Sequence, residues 1–212
     1  MLHISRIDIT NKNELKKFIE FPFQLYKNSP YWVPPLITDA YNTFNPEVHP
    51  FFQHSTAELF IAEDNGSTVG RIAVMENRRF NEYSGENTAF FGFFDVVDNE
   101  EAVEVLFDAA INWSRSHKLN RIIGPRGMIG SDSSGVLVEG FNNRAAMGVP
   151  FNYPYYDDLI QSAGFKKHTD HLSGYLPGDH ILPEKLFRIA DRIKERRGFW
   201  VKTFTSKDEM RS

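Results

Sequence analysis

The sequence predicts an α/β protein, on two observations. The first is a strand, helix, strand unit between Thr88 and Gly124. Thr88–Val97 is a bounded run of aromatic and β-branched residues and reads as a buried strand. Behind it, Val103, Leu106, Phe107, Ala110, Trp113 and Ser114 recur at three- and four-residue spacing. Glu100, Glu101, Glu104, Asp108, Asn112 and Arg115 fall on the other side, so Asp98–Lys118 reads as an amphipathic helix. Arg121–Gly124 then reads as a second short strand, completing a crossover unit. The second observation is a hairpin: Ala57–Glu63 and Thr68–Met75 alternate as strands and join through Asp64-Asn65-Gly66, a strong turn signal. With Thr88–Val97 these two strands make a meander.

In chain order, Ile4–Ile9 alternates as a strand, and Thr10 or Asn11 caps a helix through Glu14, Leu15, Phe18 and Ile19. Pro22 is expected to interrupt that helix, since it has no N–H to donate. Phe21–Pro50 carries six prolines and the aromatics Phe23, Tyr26, Tyr31, Trp32, Tyr41 and Phe44. It reads as an irregular arm at 21–50 with short helical turns, wrapped over the core. Gly92, inside the central strand, marks a place where another backbone or a ligand comes close. Asp98 is the expected N-cap of the long helix, with Glu101 completing a capping box. Gly124–Gly140 is a glycine- and serine-rich loop, Asn152–Ala163 a short helix and Phe165–Leu176 an extended region. Pro183 opens a helix to Arg197 with Leu186, Ile189, Ala190 and Ile193 on one face.

The expected organisation is thus a main domain at 1–180, a C-terminal helix at 183–197 and a tail at 199–212. In the tail, Phe204-Thr-Ser-Lys-Asp-Glu-Met210 matches Ile9-Thr-Asn-Lys-Asn-Glu-Leu15 position by position in residue character. Either a second copy of the fold begins here, making the chain a piece of a longer protein, or any strand running into a capped helix looks this way.

Composition narrows the function. With 41% hydrophobic and 25% charged residues the chain is globular, and a net charge of −4 leaves no electrostatic footprint for nucleic acid or an anionic membrane. The absence of Cys excludes disulfides, thiolate zinc sites and a cysteine nucleophile, and fits a reducing, cytoplasmic setting. No apolar run approaches a membrane span. The 19 Phe exceed what a small core needs, so some rings are expected to line a groove. His168-Thr-Asp-His171 is no metal cluster on a strand, because His168 and Asp170 share one face and His171 points to the other. Ser131, Ser133 and Ser134 have no His at a telling position, so a serine-hydrolase reading lacks support.

The order of elements, together with Phe21-Pro-Phe23, Trp32-Val-Pro-Pro35, Val69-Gly-Arg-Ile-Ala-Val74, Phe90-Phe-Gly-Phe-Phe94, Tyr153-Pro-Tyr-Tyr156 and the helix-ending Gly164-Phe165, resembles the GNAT N-acetyltransferase superfamily over roughly Leu2–Leu176. The resemblance implies an N-acetyltransferase-like fold, a mixed and mostly antiparallel sheet with helices on both faces. It implies acyl transfer from acetyl-CoA or another acyl-CoA to an amine of a small molecule or protein. Phe94, Val96 and Val97 would hold the pantetheine and polarise the thioester carbonyl through a backbone amide. Asp95, or a water beside it, would take the amine proton, and Tyr156 would protonate the departing thiolate.

Two departures stand out. The loop after the central strand reads Val97-Asp-Asn-Glu-Glu-Ala102, without the glycines that receive a pyrophosphate and with acids at the helix start. Ile160 occupies the position where the superfamily often has its general-acid Tyr. Arg126 and Gly127 of the glycine-rich loop, with Asn152, are the remaining candidates for holding the cofactor. Tyr31, Trp32, Phe93, Tyr153 and Tyr155 are the candidate aromatic groove for the acceptor. No metal is implied, and the oligomeric state stays open, a dimer included. The alternative is a GNAT-like module without coenzyme A that binds a ligand or docks another domain of a longer protein.

Overall fold

A computed structural model describes residues 1–130 and 132–211 of the chain, in two units, residues 1–171 and 172–211. The first unit is built on five strands: β1 (His3–Ile7), β2 (Thr56–Asp64), β3 (Ser67–Glu76), β4 (Thr88–Val96) and β5 (Arg121–Ile123). They lie in the sheet in sequence order. β1, β2, β3 and β4 pair antiparallel, and β4 pairs parallel with β5, as a crossover unit demands. The hairpin turn falls where the sequence places it. Asn65 and Gly66 both have positive φ, as a two-residue turn matched to strand twist requires.

Both faces of the sheet are covered. The period of two sends Ala62, Ile72, Val74, Phe91 and Val96 to one face, where they meet Val103, Leu106, Phe107 and Ala110 of α4 (Glu100–Ser116) and Leu159 of α5 (Tyr156–Ser162). Leu59, Ile61, Ala73, Met75 and Phe90 point the other way, onto Leu15, Phe18 and Ile19 of α1 (Lys12–Leu25), with Phe44 and Phe51. The arm after α1 includes α2 (Ile37–Thr43) and a 3₁₀ turn at Pro50–Gln53; α3 (Arg78–Ser84) connects β3 to β4. At the end of α5, Gly164 has φ +89 and Phe165 packs on Phe91 and Phe107, the helix-ending glycine and core anchor expected from the sequence.

Several local expectations change. Helix α1 does not stop at Pro22 but runs to Leu25. The carbonyl of Phe18, which Pro22 cannot serve, accepts a hydrogen bond from Arg71 Nη1 at 2.8 Å instead. The N-cap of α4 is Asn99, whose Oδ1 accepts the N–H of Ala102 at 3.0 Å; Asp98 lies one residue before it. Helix α5 starts at Tyr156, four residues later than expected, and Phe165–Leu176 joins no strand.

The second unit holds α6 (Glu184–Arg197) and α7 (Lys207–Arg211). Pro183 is the N-cap of α6 and Gly198, with φ +64, its C-cap. Among the described residues no helix is long and apolar enough to cross a membrane.

Candidate functional site

The C-terminal end of β4 gathers a buried polar chain that runs from one face of the sheet to the other. Arg71 of β3 stands opposite Asp95 of β4 in the register. Its Nε and Nη2 both lie 2.7 Å from Asp95 Oδ2, and its guanidinium sits over the Phe18 ring at 5.0 Å. The other carboxylate oxygen, Oδ1, accepts the hydroxyl of Tyr26 at 2.8 Å. Tyr26 and Tyr156 hydroxyls are 2.7 Å apart, and Tyr156 Oη accepts the backbone N–H of Val96 at 3.0 Å.

One direction satisfies all of these bonds. A carboxylate only accepts, so Tyr26 gives its single proton to Asp95, and Tyr156 must then donate to Tyr26. The chain reads Val96 N–H to Tyr156, to Tyr26, to Asp95, with Arg71 closing it. Tyr26, Tyr156 and Asp95 are 1, 2 and 8% exposed, so the groups depend on one another rather than on water. Burial first, then the Asp95 charge, pushes both phenols well above their ordinary pKa, and they stay protonated through the neutral range. Tyr155 is raised as well, by burial and then by its neighbours Tyr153, Asp98 and Asp95.

The backbone here is also special. Arg71 faces Asp95 and Ala73 faces Gly92, so Phe93 and Phe94 together oppose Ile72: β4 bulges. Phe93 has φ +46, an uncommon conformation for a side chain of that size, costing on the order of 1 kcal/mol. A bulge beside a buried polar chain is where a strand is re-aimed for function. Beyond it, Val96 has both polar groups engaged by tyrosines, since its carbonyl accepts Tyr155 Oη at 2.8 Å. The N–H of Val97 donates to Val69 O at 2.9 Å.

The other candidate residues divide into two sets. Phe94 stacks on Phe107 and meets Tyr156 edge-on, and Tyr153 bonds Leu25 O through its hydroxyl at 3.2 Å. Trp32, Tyr153 and Phe151 surround the Tyr26 ring at centroid distances of 5.2 to 5.3 Å. Tyr31, Phe141, Phe151 and Tyr153 line an open, largely apolar cavity of about 290 Å³ alongside. Asn152 is spent on structure: its side chain bonds both polar groups of Leu137 and the carbonyl of Tyr153.

The second set lies on the α1 face. Phe93 packs against Phe44, and the Arg126 guanidinium covers the Phe90 ring at 4.7 Å. The close approach at Gly92 is made by the chain itself, since a Cβ there would collide with the carbonyl oxygen of Arg126. Gly127 is equally closed in, against the side chain of Asp132. Asp170 pairs with Lys167 at 3.0 Å, and no group of metal-binding side chains forms among the described residues. Ser131 lies outside the described residues.

Sequence reading missed Tyr26 and Arg71 as members of the site. The signal for Arg71 was present: a cation in the middle of a buried strand needs a partner, and Asp95 is the acid in the neighbouring buried strand. Nothing local marks Tyr26, which reaches its partners only through the path of α1.

No family model matches the chain. It is 31% identical over 187 residues to protein YghO of Escherichia coli, covering 88% of this chain and 48% of that protein. It is 29% identical over 168 residues to the bacterial ceramide synthase of Caulobacter vibrioides, covering 79% of this chain and 44% of that one. The chain therefore spans about half the length of the curated relatives it matches. Among solved structures, a tandem GNAT protein from the clavulanic acid biosynthesis pathway superposes with a TM-score of 0.51 at 12% identity, over 77% of this chain and 43% of that one. An aminoglycoside acetyltransferase from an uncultured soil metagenomic sample, solved with sisomicin, gives 0.50 at 11% identity, over 83% and 97%. These likenesses identify the fold as that of the GNAT acetyltransferases.

Proposed function

We propose that this GNAT-fold chain is half of an N-acyltransferase that moves an acyl group from a coenzyme A thioester to the amine of a long-chain or other small acceptor. One convergence carries the reading. The fold is that of amine acetyltransferases, and a relative at 29% identity is called a ceramide synthase, ceramide being the amide of a long-chain amino alcohol. An acceptor with an aliphatic tail suits an aromatic groove better than a bed of charges, and Tyr31, Trp32, Tyr153 and Tyr155 supply the rings. In this reading the bulge at Phe93–Phe94 presents β4 to the donor, and Asp95 takes the amine proton through water. Tyr156, kept protonated by burial, gives its proton to the leaving thiolate and takes one from Tyr26, which in turn takes the amine proton held on Asp95, so the chain of groups ends as it began.

The sealed Val96 amide favours a second reading. Tyr156 holds the N–H that a thioester carbonyl would need, Asn99 caps α4, and Glu100 and Glu101 already complement the helix dipole. A half built this way binds the acceptor or docks another domain, while donor binding resides elsewhere in the longer protein.

Thermal melts with saturating acetyl-CoA and then a longer acyl-CoA separate the two. A donor at a hundred times its Kd adds about 2.7 kcal/mol, which raises the midpoint by roughly 5 to 10 °C for a chain of this size. That rise, lost in Phe94→Pro, supports a donor site in this half. No rise with either donor removes it.

A further inference from the structure

The apolar side of α6 carries Leu186, Phe187, Ile189 and Ile193, which are 49, 58, 41 and 44% exposed. Phe199, Trp200 and Val201 follow at 62, 72 and 91%. Within its own unit this apolar stretch is left uncovered, a surface of the kind that takes a partner. The residues just beyond it say which one. In the first unit, Asn11 caps α1 by accepting the N–H groups of Asn13 and Glu14. Glu14 reaches back to accept the N–H of Asp8 at 2.9 Å. In the tail, Ser206 accepts the N–H of Glu209 at 3.2 Å, and Glu209 reaches back to the N–H of Thr205 at 2.9 Å. The sequence match between Ile9–Leu15 and Phe204–Met210 thus extends to the helix caps, with Asn11 answering to Ser206 and Glu14 to Glu209, although Glu14 reaches back to Asp8 and Glu209 only to Thr205. The next position separates the two copies. Leu15 is 6% exposed because a sheet lies against it, whereas Met210, its counterpart, is 63% exposed.

We propose that residues 199–211 are the first strand and first helical turn of a second copy of the GNAT fold, and that the apolar side of α6 docks onto that copy. The relatives fit a protein of this plan: the chain covers 48 and 44% of the two curated ones and 43% of the tandem GNAT protein. The inference rests on the fold and the repeat and does not depend on acyl transfer.

Hydrogen exchange followed by mass spectrometry on the natural full-length protein, beside residues 1–212 alone, tests it. Amides of α6 and of 199–211 are expected to exchange at least about tenfold more slowly in the full-length protein. Leu186→Glu with Ile193→Glu should return α6 to fast exchange and leave β2–β4 unchanged. Equal exchange in the two proteins overturns the proposal, as does a natural chain with no second set of these elements. Slowing in residues 1–212 that grows with concentration also overturns it, in favour of a second molecule of this chain. A failed acyl-transfer assay leaves this readout untouched, so the two proposals fail separately.

Discussion

The phenol oxygen of Tyr156 accepts the backbone N–H of Val96 at 3.0 Å, fastening α5 to the last residue of β4. This bond decides what the end of β4 can do. While it stands, the Val96 amide has no free hydrogen to offer a ligand's carbonyl, and the Tyr156 hydroxyl is held inside the fold. It also makes the hydroxyl structural, because a buried N–H without a partner is costly.

Tyr156→Phe is therefore expected to lower stability by about 1 to 3 kcal/mol, since the Val96 N–H loses its acceptor and Tyr26 loses a donor. Urea denaturation followed by fluorescence measures it. A change well under 0.5 kcal/mol would show that the chain of hydroxyls is not energetically coupled to β4.

Removing one partner of the buried ion pair should cost more. Arg71→Met leaves the Asp95 carboxylate with Tyr26 alone and strips the Phe18 carbonyl, for an expected loss of about 3 to 5 kcal/mol. Pro22→Ala restores an N–H that can serve the Phe18 carbonyl within the helix. The loss on Arg71→Met should be smaller in that background, and a double-mutant cycle reads the difference. Additive effects would mean that Arg71 does not stand in for the missing helical bond.

Three phenols set the alkaline limit, two of them buried and Tyr155 half-buried. Tyr26, Tyr155 and Tyr156 have raised pKa values in the folded chain, so above about pH 10 the unfolded state gives up protons that the folded state keeps. Their contribution is fully present below that pH and is lost as pH rises beyond it. Absorbance of tyrosinate should show these three phenols ionising only with unfolding. Tyr26→Phe should flatten the fall of stability above pH 10; an unchanged slope would count against the direction assigned here.

How much of this was legible in the sequence follows the distance between partners. The hairpin at Asn65-Gly66 and the stripe on α4 are local patterns, and both stand where their spacing puts them. The polar chain is not local: Tyr26 lies 69 residues from Asp95 and 130 from Tyr156. Asp95 and Tyr156 were visible as candidates, but only the fold shows that Tyr26 joins them. Pro22 misled for the same reason, because the group that replaces its hydrogen bond comes from Arg71, 53 residues beyond Phe18. Gly92 reads as a place where another backbone or a ligand comes close, and the backbone of Arg126 is what comes close there; the Asn152 side chain bonds the backbone of Leu137.

The helix cap offers a small, separable effect. Asn99→Ala removes the acceptor for the Ala102 N–H and should cost about 1 kcal/mol, or roughly 2 to 4 °C in Tm. Asp98→Ala, one residue outside the cap, should cost less. A larger loss on Asp98→Ala would put the cap at Asp98, as the sequence alone suggested.

The most direct test of acyl transfer is amide formation by the natural full-length protein. Short and long acyl-CoA donors are mixed with a long-chain amino alcohol or a short amine, and released thiol and amide product are both measured. The account predicts amine-dependent thiol release matched by amide, strongest with a long-chain acceptor and reduced by Asp95→Asn. Absence of amide with every donor and acceptor pair, from a protein shown to be folded by its melt, would contradict it.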